Sequence, residues 1–255
     1  EQLVRLPNGF HSFRPPDDPP GIGAPPCLAR GYVTFGSFNR EFKVSPTIMD
    51  LWCRILLAVP GSRMLMKPIA GADPATREFQ LGEFERRGVS RDRVQLVGFI
   101  SSQAEHLAMY RDVDIALDTF PYHGTTTTLD SFLMGVPVIT LEGRIHAGRV
   151  GASLLTQVGL TENIALTEDE YVSKAVELAA DPQRIASLHG SIRQRLLASP
   201  LCDGPGFSRN YEYALRGMWL NWCRAQGVSL SAELEAQAAF DFPAPAGYCG
   251  GGKRA

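Results

Sequence analysis

Short apolar runs alternate with amphipathic segments along the chain between residues 30 and 240. Five of the runs have the length of a strand. They are YVTFGSF (32–38), RMLMK (63–67), RVQLVGF (93–99), VDIALDT (113–119) and VPVITL (136–141). Because these runs are continuously apolar, the pattern predicts strands that are buried on both faces.

Segments with helical spacing of apolar residues separate the predicted strands. The first is predicted to begin with Ser45 as N-cap and Pro46 in the first turn, and to stop at Pro60-Gly61. Four more helices are predicted at 75–88, 102–112, 128–135 and 143–159, and the chain after residue 166 is mostly helical to about residue 226. Alternating strands and helices with short connections predict a doubly wound, Rossmann-like α/β fold, with a parallel sheet and helices on both faces.

Proline and glycine mark the ends of this folded body. Residues 14–26 contain six prolines, which predicts an extended linker or strap. The segment FPAPAGYCGGGKRA at the other end has the composition of a disordered tail. The predicted organisation is a strap over residues 1–29, a Rossmann-like lobe with C-terminal helices over 30–240, and a disordered tail over 241–255.

The composition is that of a globular protein, and it argues against nucleic acid or a membrane surface as a partner. Of 255 residues, 44% are hydrophobic and 20% charged, and the formal net charge is −2, which gives no basic footprint for nucleic acid or a membrane surface. No apolar run approaches the ~18 residues of a membrane span, and no signal peptide is recognisable. The first residue is Glu1, which suggests a processed chain or a fragment. Five widely spaced cysteines favour neither disulfides nor zinc, so a reducing cytoplasm is expected.

Four consecutive threonines, Thr125 to Thr128, lie between the fourth predicted strand and the next helix. In a doubly wound sheet this position is where ligands bind, and the first helical turn leaves about four N–H groups unpaired. Gly124 would let the backbone approach a ligand, and the threonine hydroxyls add donors. The run therefore predicts a diphosphate cradle, in a chain that has no P-loop and no GxGxxG motif. The alternative is that Thr127 or Thr128 only caps the helix.

Four further side chains are candidates for the same site, each with a plainer alternative. Asp130 could bind a vicinal diol, or it could be a first-turn acid that interacts with the helix dipole. Lys43 could neutralise a diphosphate, or it could be a solvated surface lysine. His106 could stack on a base or be an ordinary surface or core residue, and His123 could be a ligand contact or a turn residue. No motif for a nucleophile or general base is present.

Three long blocks of the sequence resemble a known family. They are GYVTFGSFNREFKVSPTIMDLWCRILLAVPGSRMLMK, LDTFPYHGTTTTLDSFLMGVPVIT and ASPLCDGPGFSRNYEYALRGMW. They are similar, in this order, to the C-terminal catalytic lobe of the protein O-GlcNAc transferase and SPINDLY family, and the similarity runs from about residue 1 to residue 226. The resemblance implies a bacterial-type member of an inverting, metal-independent class of GT-B glycosyltransferases. Such enzymes transfer a sugar from a nucleotide diphosphate to Ser or Thr of proteins.

The resemblance also implies roles for individual residues. It gives Lys43 the stabilisation of the leaving diphosphate, His106 the stacking on the base, and Asp130 the binding of the ribose. The diphosphate-binding threonines fall on Thr126 and Thr127. Three other positions, Arg40, Gln103 and Thr125, line the nucleotide or phosphate region in the family, and Tyr122 lies near the N-acyl group of the sugar.

The donor sugar has two candidates. UDP-GlcNAc is the donor in animal members, which share Asp130, whereas GTTTT resembles plant SPINDLY, whose donor is GDP-fucose and which has Glu in place of Asp130.

In the family an N-terminal lobe and tetratricopeptide repeats supply the acceptor site and the candidate bases, so this chain alone is expected to be inactive. A third possible function, besides transfer of GlcNAc or of fucose, is that of a non-catalytic nucleotide-binding or scaffold module. Expected partners are a nucleotide sugar and a protein or peptide acceptor, without metal, nucleic acid or membrane.

Overall fold

Six parallel strands form one sheet in the computed structural model, which describes residues 3–68, 71 and 73–234. The strands are β1 (Thr34–Ser37), β2 (Arg63–Met66), β3 (Val94–Leu96), β4 (Ile115–Leu117), β5 (Val138–Leu141) and β6 (Ile164–Ala165). Their order in the sheet is β3-β2-β1-β4-β5-β6. Every residue of β1, β4 and β5 is buried, and successive side chains point to opposite faces, so both faces are covered. The predicted Rossmann-like α/β fold is confirmed.

The first five strands lie inside the five predicted apolar runs and are each shorter than the run. The sixth, β6, is absent from the prediction. It has two residues and pairs with the end of β5 through Thr140 opposite Ile164 and Leu141 opposite Ala165. A strand of two residues is too short to produce a recognisable apolar period.

Helices fill the connections between strands. In the part of the chain that the structure describes, they are α1 (Cys27–Arg30), α2 (Pro46–Ala58), α3 (Pro74–Glu85), α4 (Gln103–Ala108), α5 (Thr126–Leu133), α6 (Val150–Gln157), α7 (Glu168–Ala179), α8 (Pro182–Ala198) and α9 (Gly204–Ala225). The prediction for α2 is confirmed in detail, because Ser45 Oγ accepts a hydrogen bond from Ile48 N–H and Pro46 opens the helix. None of these helices is both long and apolar enough to cross a membrane.

The four later predicted helices differ at their ends. The helix predicted over 75–88 is α3, which ends at Glu85, and the helix predicted over 143–159 is a 3₁₀ turn at His146–Gly148 followed by α6 from Val150. The helix predicted over 102–112 is α4 followed by a 3₁₀ turn at Met109–Asp112. The helix predicted to begin at Thr128 begins at Thr126 instead, so α5 takes in two more threonines. A purely polar first turn gives no apolar signal, which is why the start was placed too late.

The described chain divides into two compact units. Residues 15–198 contain the sheet and α1 to α8, whereas 3–14 and 199–234 form a second unit that contains α9. Within the second unit, Phe13 N–H donates to the carbonyl of Leu201 at 2.7 Å. Residues 15–24 of the proline-rich segment contain neither helix nor strand. The predicted tail over 241–255 lies outside the described residues.

Candidate functional site

The candidate site lies where the order of the strands reverses. β1 and β4 are neighbours in the sheet although they are three strands apart in sequence, with Phe35 opposite Ile115 and Gly36 opposite Ala116. Parallel strands end at the same edge, so the segments that follow β1 and β4 meet there. In open α/β sheets a crevice of this kind is the usual place for a ligand.

The first turn of α5 presents unused backbone donors at this edge. Its first intrahelical bond runs from Leu129 N–H to the carbonyl of Thr125 at 3.0 Å, so the amides of Thr126, Thr127 and Thr128 precede the helical ladder. Thr125 is the N-cap residue, but its side chain makes no capping hydrogen bond. The side chain of Thr126 is exposed. Backbone donors and a positive helix end together suit an anion.

The two threonines that were the alternative capping residues do not cap the helix. Thr127 Oγ1 donates to Asn39 Oδ1 at 3.0 Å, which ties α5 to the segment after β1. Thr128 Oγ1 donates to the carbonyl of Gly124 at 3.1 Å. The simple-cap alternative is therefore wrong, and both hydroxyls instead brace the entry to the helix.

Gly124 is packed so closely that only a hydrogen fits in place of a side chain. A Cβ there would lie 2.2 Å from Thr127 Oγ1, 2.9 Å from Asn39 Oδ1 and 3.1 Å from Thr128 Oγ1. Its N–H donates to Asp118 Oδ1 at 2.8 Å. The backbone thus passes directly beside the N-terminus of α5, as a close approach to a ligand requires.

Asp118 organises this loop and was not among the predicted site residues. It directly follows β4 and is 2% exposed. Besides Gly124 N–H, its Oδ1 accepts from Thr119 N–H at 2.9 Å, and its Oδ2 accepts from Thr140 Oγ1 at 2.9 Å. Asp118 falls inside the run VDIALDT (113–119), which predicts a strand, whereas β4 ends at Leu117. Only its place directly after the strand could have identified it.

Lys43 reaches the same loop from the other side. It ends a 3₁₀ turn, Glu41–Lys43, and its Nζ donates to the carbonyl of His123 at 2.8 Å. The ammonium also lies 4.0 Å from the centroid of the Tyr122 ring. Burial lowers the pKa of Lys43, the charge of Asp118 raises it, and the charge of Arg40 lowers it. Lys43 is therefore half-buried and hydrogen-bonded rather than a fully solvated surface residue.

Arg40 and Tyr122 flank Lys43 and remain open to solvent. Arg40 is the exposed residue that precedes the 3₁₀ turn, and Tyr122 is 50% exposed. Phe42, in the same turn, is 67% exposed, with its ring centroid 6.4 Å from that of Tyr122. Charged and aromatic groups are thus available beside the ammonium of Lys43, but nothing in these contacts tests their predicted roles.

The ring of His123 is inside the protein. Its Nε2 donates to the carbonyl of Leu141 at 2.9 Å, and its Nδ1 accepts from Gly151 N–H at 2.9 Å. Both nitrogens are therefore occupied, and the side chain is fully buried. The predicted ligand contact cannot be made by this ring in the observed arrangement; only the His123 carbonyl, through Lys43, belongs to the site.

Asp130 and His106 come together a turn further along α5. Asp130 Oδ2 lies 3.3 Å from His106 Nε2, and Phe38 and Tyr110 pack around the imidazole at centroid distances of 6.0 Å and 5.6 Å. Asp130 is the fifth residue of α5, so the alternative of a first-turn acid is wrong. Burial lowers the pKa of Lys67, and the charge of Asp130 raises it.

The imidazole of His106 retains one unused polar atom. Its Nδ1 is buried and has no hydrogen-bond partner, whereas the side chain as a whole is 18% exposed. His106 lies in α4, which begins at the predicted site residue Gln103 and is capped by Ser102 Oγ, the acceptor for Glu105 N–H at 3.3 Å. A partly exposed aromatic ring next to a buried carboxylate is a combination that can stack on a base and bind hydroxyl groups.

One helix therefore carries two groups of predicted site residues. Unpaired amides of its first turn lie near Gly124 and Lys43, which together suit an anion, and Asp130 in its second turn lies beside His106. This arrangement at the switch point defines the class: a Rossmann-like α/β domain with a candidate site for a ligand that is part anion and part polyhydroxyl or base.

The chain belongs to glycosyl transferase family 41, whose domain matches residues 27–211. It is 43% identical over 230 residues to the probable UDP-N-acetylglucosamine–peptide N-acetylglucosaminyltransferase SPINDLY of Hordeum vulgare, covering 90% of this chain. It is 30% identical over 189 residues to the UDP-N-acetylglucosamine–peptide N-acetylglucosaminyltransferase of Caenorhabditis elegans, covering 73% of this chain.

Among solved structures, a mutant of the Thermobaculum terrenum O-GlcNAc transferase matches with a TM-score of 0.82 and 38% identity over 89% of this chain. Sucrose-phosphate synthase of Thermosynechococcus elongatus shares the fold, with a TM-score of 0.50 and 16% identity over 75% of this chain and 49% of that one. The matched region is only part of each relative: 24% of the barley protein, 16% of the nematode protein and 42% of the Thermobaculum chain. The chain thus spans about a quarter or less of the curated relatives it matches.

Proposed function

We propose that this chain is the donor-binding lobe of an inverting protein O-glycosyltransferase that transfers GlcNAc from UDP-GlcNAc to Ser or Thr of proteins. The observation that carries the proposal is the pairing of Lys43 with the open first turn of α5 at the switch point of the sheet. Family membership and the activities for which the SPINDLY and nematode relatives are named support it.

In this proposal the diphosphate lies at the first turn of α5. The amides of Thr126 and Thr127 and the ammonium of Lys43 then stabilise the negative charge that develops as the bond to the sugar breaks. Such preorganised donors are typically worth ~3 kcal/mol each in the transition state. The bond between Lys43 and the His123 carbonyl holds the ammonium in place before the donor arrives.

The nucleoside would lie along the second turn of the same helix. Asp130 would accept hydrogen bonds from the ribose hydroxyls, and the partly exposed ring of His106 would stack on the base. Arg40, Thr125 and Tyr122 would border the phosphate and sugar. We propose that the general base and the acceptor site lie in the preceding part of a longer chain.

We propose that donor binding needs no metal ion. The ammonium of Lys43 and the helix N-terminus supply the positive charge that a divalent cation supplies in many other phosphate sites. UDP affinity is expected to be the same in EDTA and in millimolar Mg²⁺. A loss of affinity in EDTA that Mg²⁺ restores would contradict this part of the proposal.

Calorimetric titration with UDP and GDP tests the donor site directly. We expect UDP to bind more tightly than GDP, and Lys43→Ala and Asp130→Ala each to lower UDP affinity roughly tenfold or more. Lys174→Ala and Asp169→Ala, two substitutions on α7, are the matched controls and should leave the affinity unchanged.

Each other outcome selects a different function. A clear preference for GDP indicates a fucosyltransferase lobe that uses GDP-fucose, as the GTTTT sequence suggests. No effect of Lys43→Ala and Asp130→Ala indicates a scaffold that does not use this cleft. The chain alone is expected to transfer no sugar to a Ser-containing peptide, as followed by mass spectrometry, and transfer at the rate of a longer chain would contradict the lobe assignment.

A further inference from the structure

We propose that Asp118 is a positioning residue of this site, whose buried carboxylate fixes the amide of Gly124 ahead of α5 and balances the ammonium of Lys43. The proposal rests on the proposed function only for its nucleotide readout. Nothing in the sequence pattern or in the comparisons assigns a role to this residue.

The geometry of Asp118 is that of a loop clamp. One oxygen, Oδ1, accepts from the amides of Thr119 and Gly124 at 2.9 Å and 2.8 Å, so a single atom fixes both ends of the loop between β4 and α5. The other oxygen accepts from Thr140 Oγ1 on β5 at 2.9 Å. Because Gly124 is also in contact with Thr127, the carboxylate sets the position of the first turn of α5 through the backbone.

The donors around Asp118 are all neutral. Two are amides, one is a hydroxyl, and the nearby Nδ1 of His123, 3.6 Å from Oδ2, already accepts from Gly151 N–H. A carboxylate that is 2% exposed needs a compensating charge, since an uncompensated buried charge is costly. A cation that contacts this loop is Lys43, whose Nζ donates to the carbonyl of His123 at 2.8 Å.

The charge of Asp118 also acts on the pKa of Lys43. The charged groups that act on Lys43 are Asp118, which raises its pKa, and Arg40, which lowers it, on top of a larger lowering by burial. Other titratable groups at this locus are Glu41, in the same 3₁₀ turn as Lys43, and His123, whose Nδ1 lies 3.6 Å from Asp118 Oδ2. The phenol of Tyr122 lies under the ammonium, and that of Tyr171 donates to the Asp118 carbonyl at 2.8 Å.

Side-chain NMR of the lysines tests the electrostatic part without any ligand. The lysines are Lys43, Lys67, Lys174 and Lys253, few enough to assign by substitution. In Asp118→Asn, which keeps an oxygen for the two amides, we expect Lys43 to titrate at lower pH than in the wild-type protein. Thr140→Val, which removes only the partner of Oδ2, should leave that titration where it is. An unchanged Lys43 titration in a folded Asp118→Asn protein would overturn the proposal.

The nucleotide readout separates positioning from general structural support. In Asp118→Asn we expect UDP affinity to fall roughly tenfold near neutral pH, and its decline at high pH to begin at a lower pH than in the wild type. A merely structural role would lower affinity equally at every pH. A further outcome is that the wild-type protein binds neither UDP nor GDP although the titration of Lys43 shifts in Asp118→Asn. That result would contradict the proposed function and would still support the charge pairing of Asp118 with Lys43.

A measurement on the wild-type protein keeps the proposal testable should Asp118→Asn not fold. The Gly124 amide is expected to exchange its proton slowly, because it donates to a buried carboxylate rather than to water. Exchange at the rate of an unprotected loop amide would overturn the clamp.

Discussion

At the scale of single residues, the site depends on how closely the backbone at Gly124 approaches α5. Thr127 Oγ1 and Asn39 Oδ1 occupy the space that a side chain would need. The same atoms hold each other by a 3.0 Å hydrogen bond, so neither can withdraw without losing its partner. A glycine here is therefore required by space and not by a positive φ.

Gly124→Ala is predicted to weaken nucleotide binding and to destabilise the fold. The added methyl must displace the Thr127 hydroxyl, which shifts the first turn of α5, and overpacking of this kind costs about 1–3 kcal/mol. Urea unfolding measures the stability, and calorimetry with UDP measures the binding. Gly190→Ala is the matched control, because it lies in α8 with nothing within 4 Å of the added carbon, and it should stabilise the protein by up to ~1 kcal/mol. A Gly124→Ala protein with wild-type stability and affinity would contradict this account.

Candidate residues at this scale could be predicted from sequence only in part. Lys43, Thr126, Thr127 and Asp130 were proposed from strand ends and from the resemblance, and the structure gathers them along α5. Asp118 and the burial of the His123 ring were missed. Both depend on partners from β5 and α6, Thr140 and Gly151, that are distant in sequence and produce no periodic signal.

At the scale of elements, a buried hydrogen-bonded chain joins two helices to the strand that supports the loop. Trp52 Nε1 on α2 donates to the Tyr171 hydroxyl on α7 at 3.1 Å, and that hydroxyl donates to the Asp118 carbonyl at 2.8 Å. Trp52 and Tyr171 are fully buried. Two helices and the end of β4 are thus held in a fixed relation directly beneath the candidate site.

Tyr171→Phe is predicted to destabilise the protein by about 1–3 kcal/mol. The ring still fills its space, but the indole N–H loses its acceptor and the Asp118 carbonyl loses its donor. The free energy of unfolding in urea is the measurement. Tyr211→Phe, at a tyrosine that is 50% exposed, serves as control and is expected within ~0.5 kcal/mol of the wild type. Equal stabilities for the two variants would show that the buried chain contributes nothing.

The elements themselves were largely predictable, and the exceptions have physical reasons. Five strands could be predicted from continuous apolar runs, because a strand in a sheet that is covered on both faces has apolar residues on both of its sides. The two-residue strand β6 is defined by its pairing with β5 rather than by its own composition. The start of α5 was misplaced because its first turn consists of threonines, which pack on Asn39 and Gly124 instead of on an apolar core.

At the scale of the whole molecule, the stability of the sheet-containing unit is coupled to pH through a buried histidine. His189 on α8 donates from Nε2 to the carbonyl of Asp114 at 3.1 Å. The carboxylate of Asp114 accepts from the amides of Cys27 and Thr34, both at 2.8 Å, so that α1, β1 and α8 meet at one residue. Burial lowers the pKa of His189, and the hydrogen bond to Asp114 and the charge of Asp114 raise it by less.

The lowered pKa predicts that the protein loses stability in mild acid. Between the folded pKa of His189 and its ordinary value of about 6.5, the unfolded chain binds more protons than the native chain, so the free energy of unfolding falls as the pH falls. This contribution is fully present above about pH 6.5 and can change by at most ~1.4 kcal/mol per pH unit for one group. His11 belongs to the second unit, where burial also lowers its pKa, so it adds a change of the same sign there.

His189→Asn is predicted to reduce this pH dependence without abolishing it. The amide can still donate to the Asp114 carbonyl but cannot take up a proton, so the variant should be less stable than the wild type at pH 7 and lose less stability between pH 6.5 and 5. Urea unfolding at half-unit steps of pH gives both curves, and the remaining slope is expected to shrink again when His11→Asn is added. Parallel curves for the wild type and His189→Asn would show that the buried imidazole is not the group that couples folding to protons.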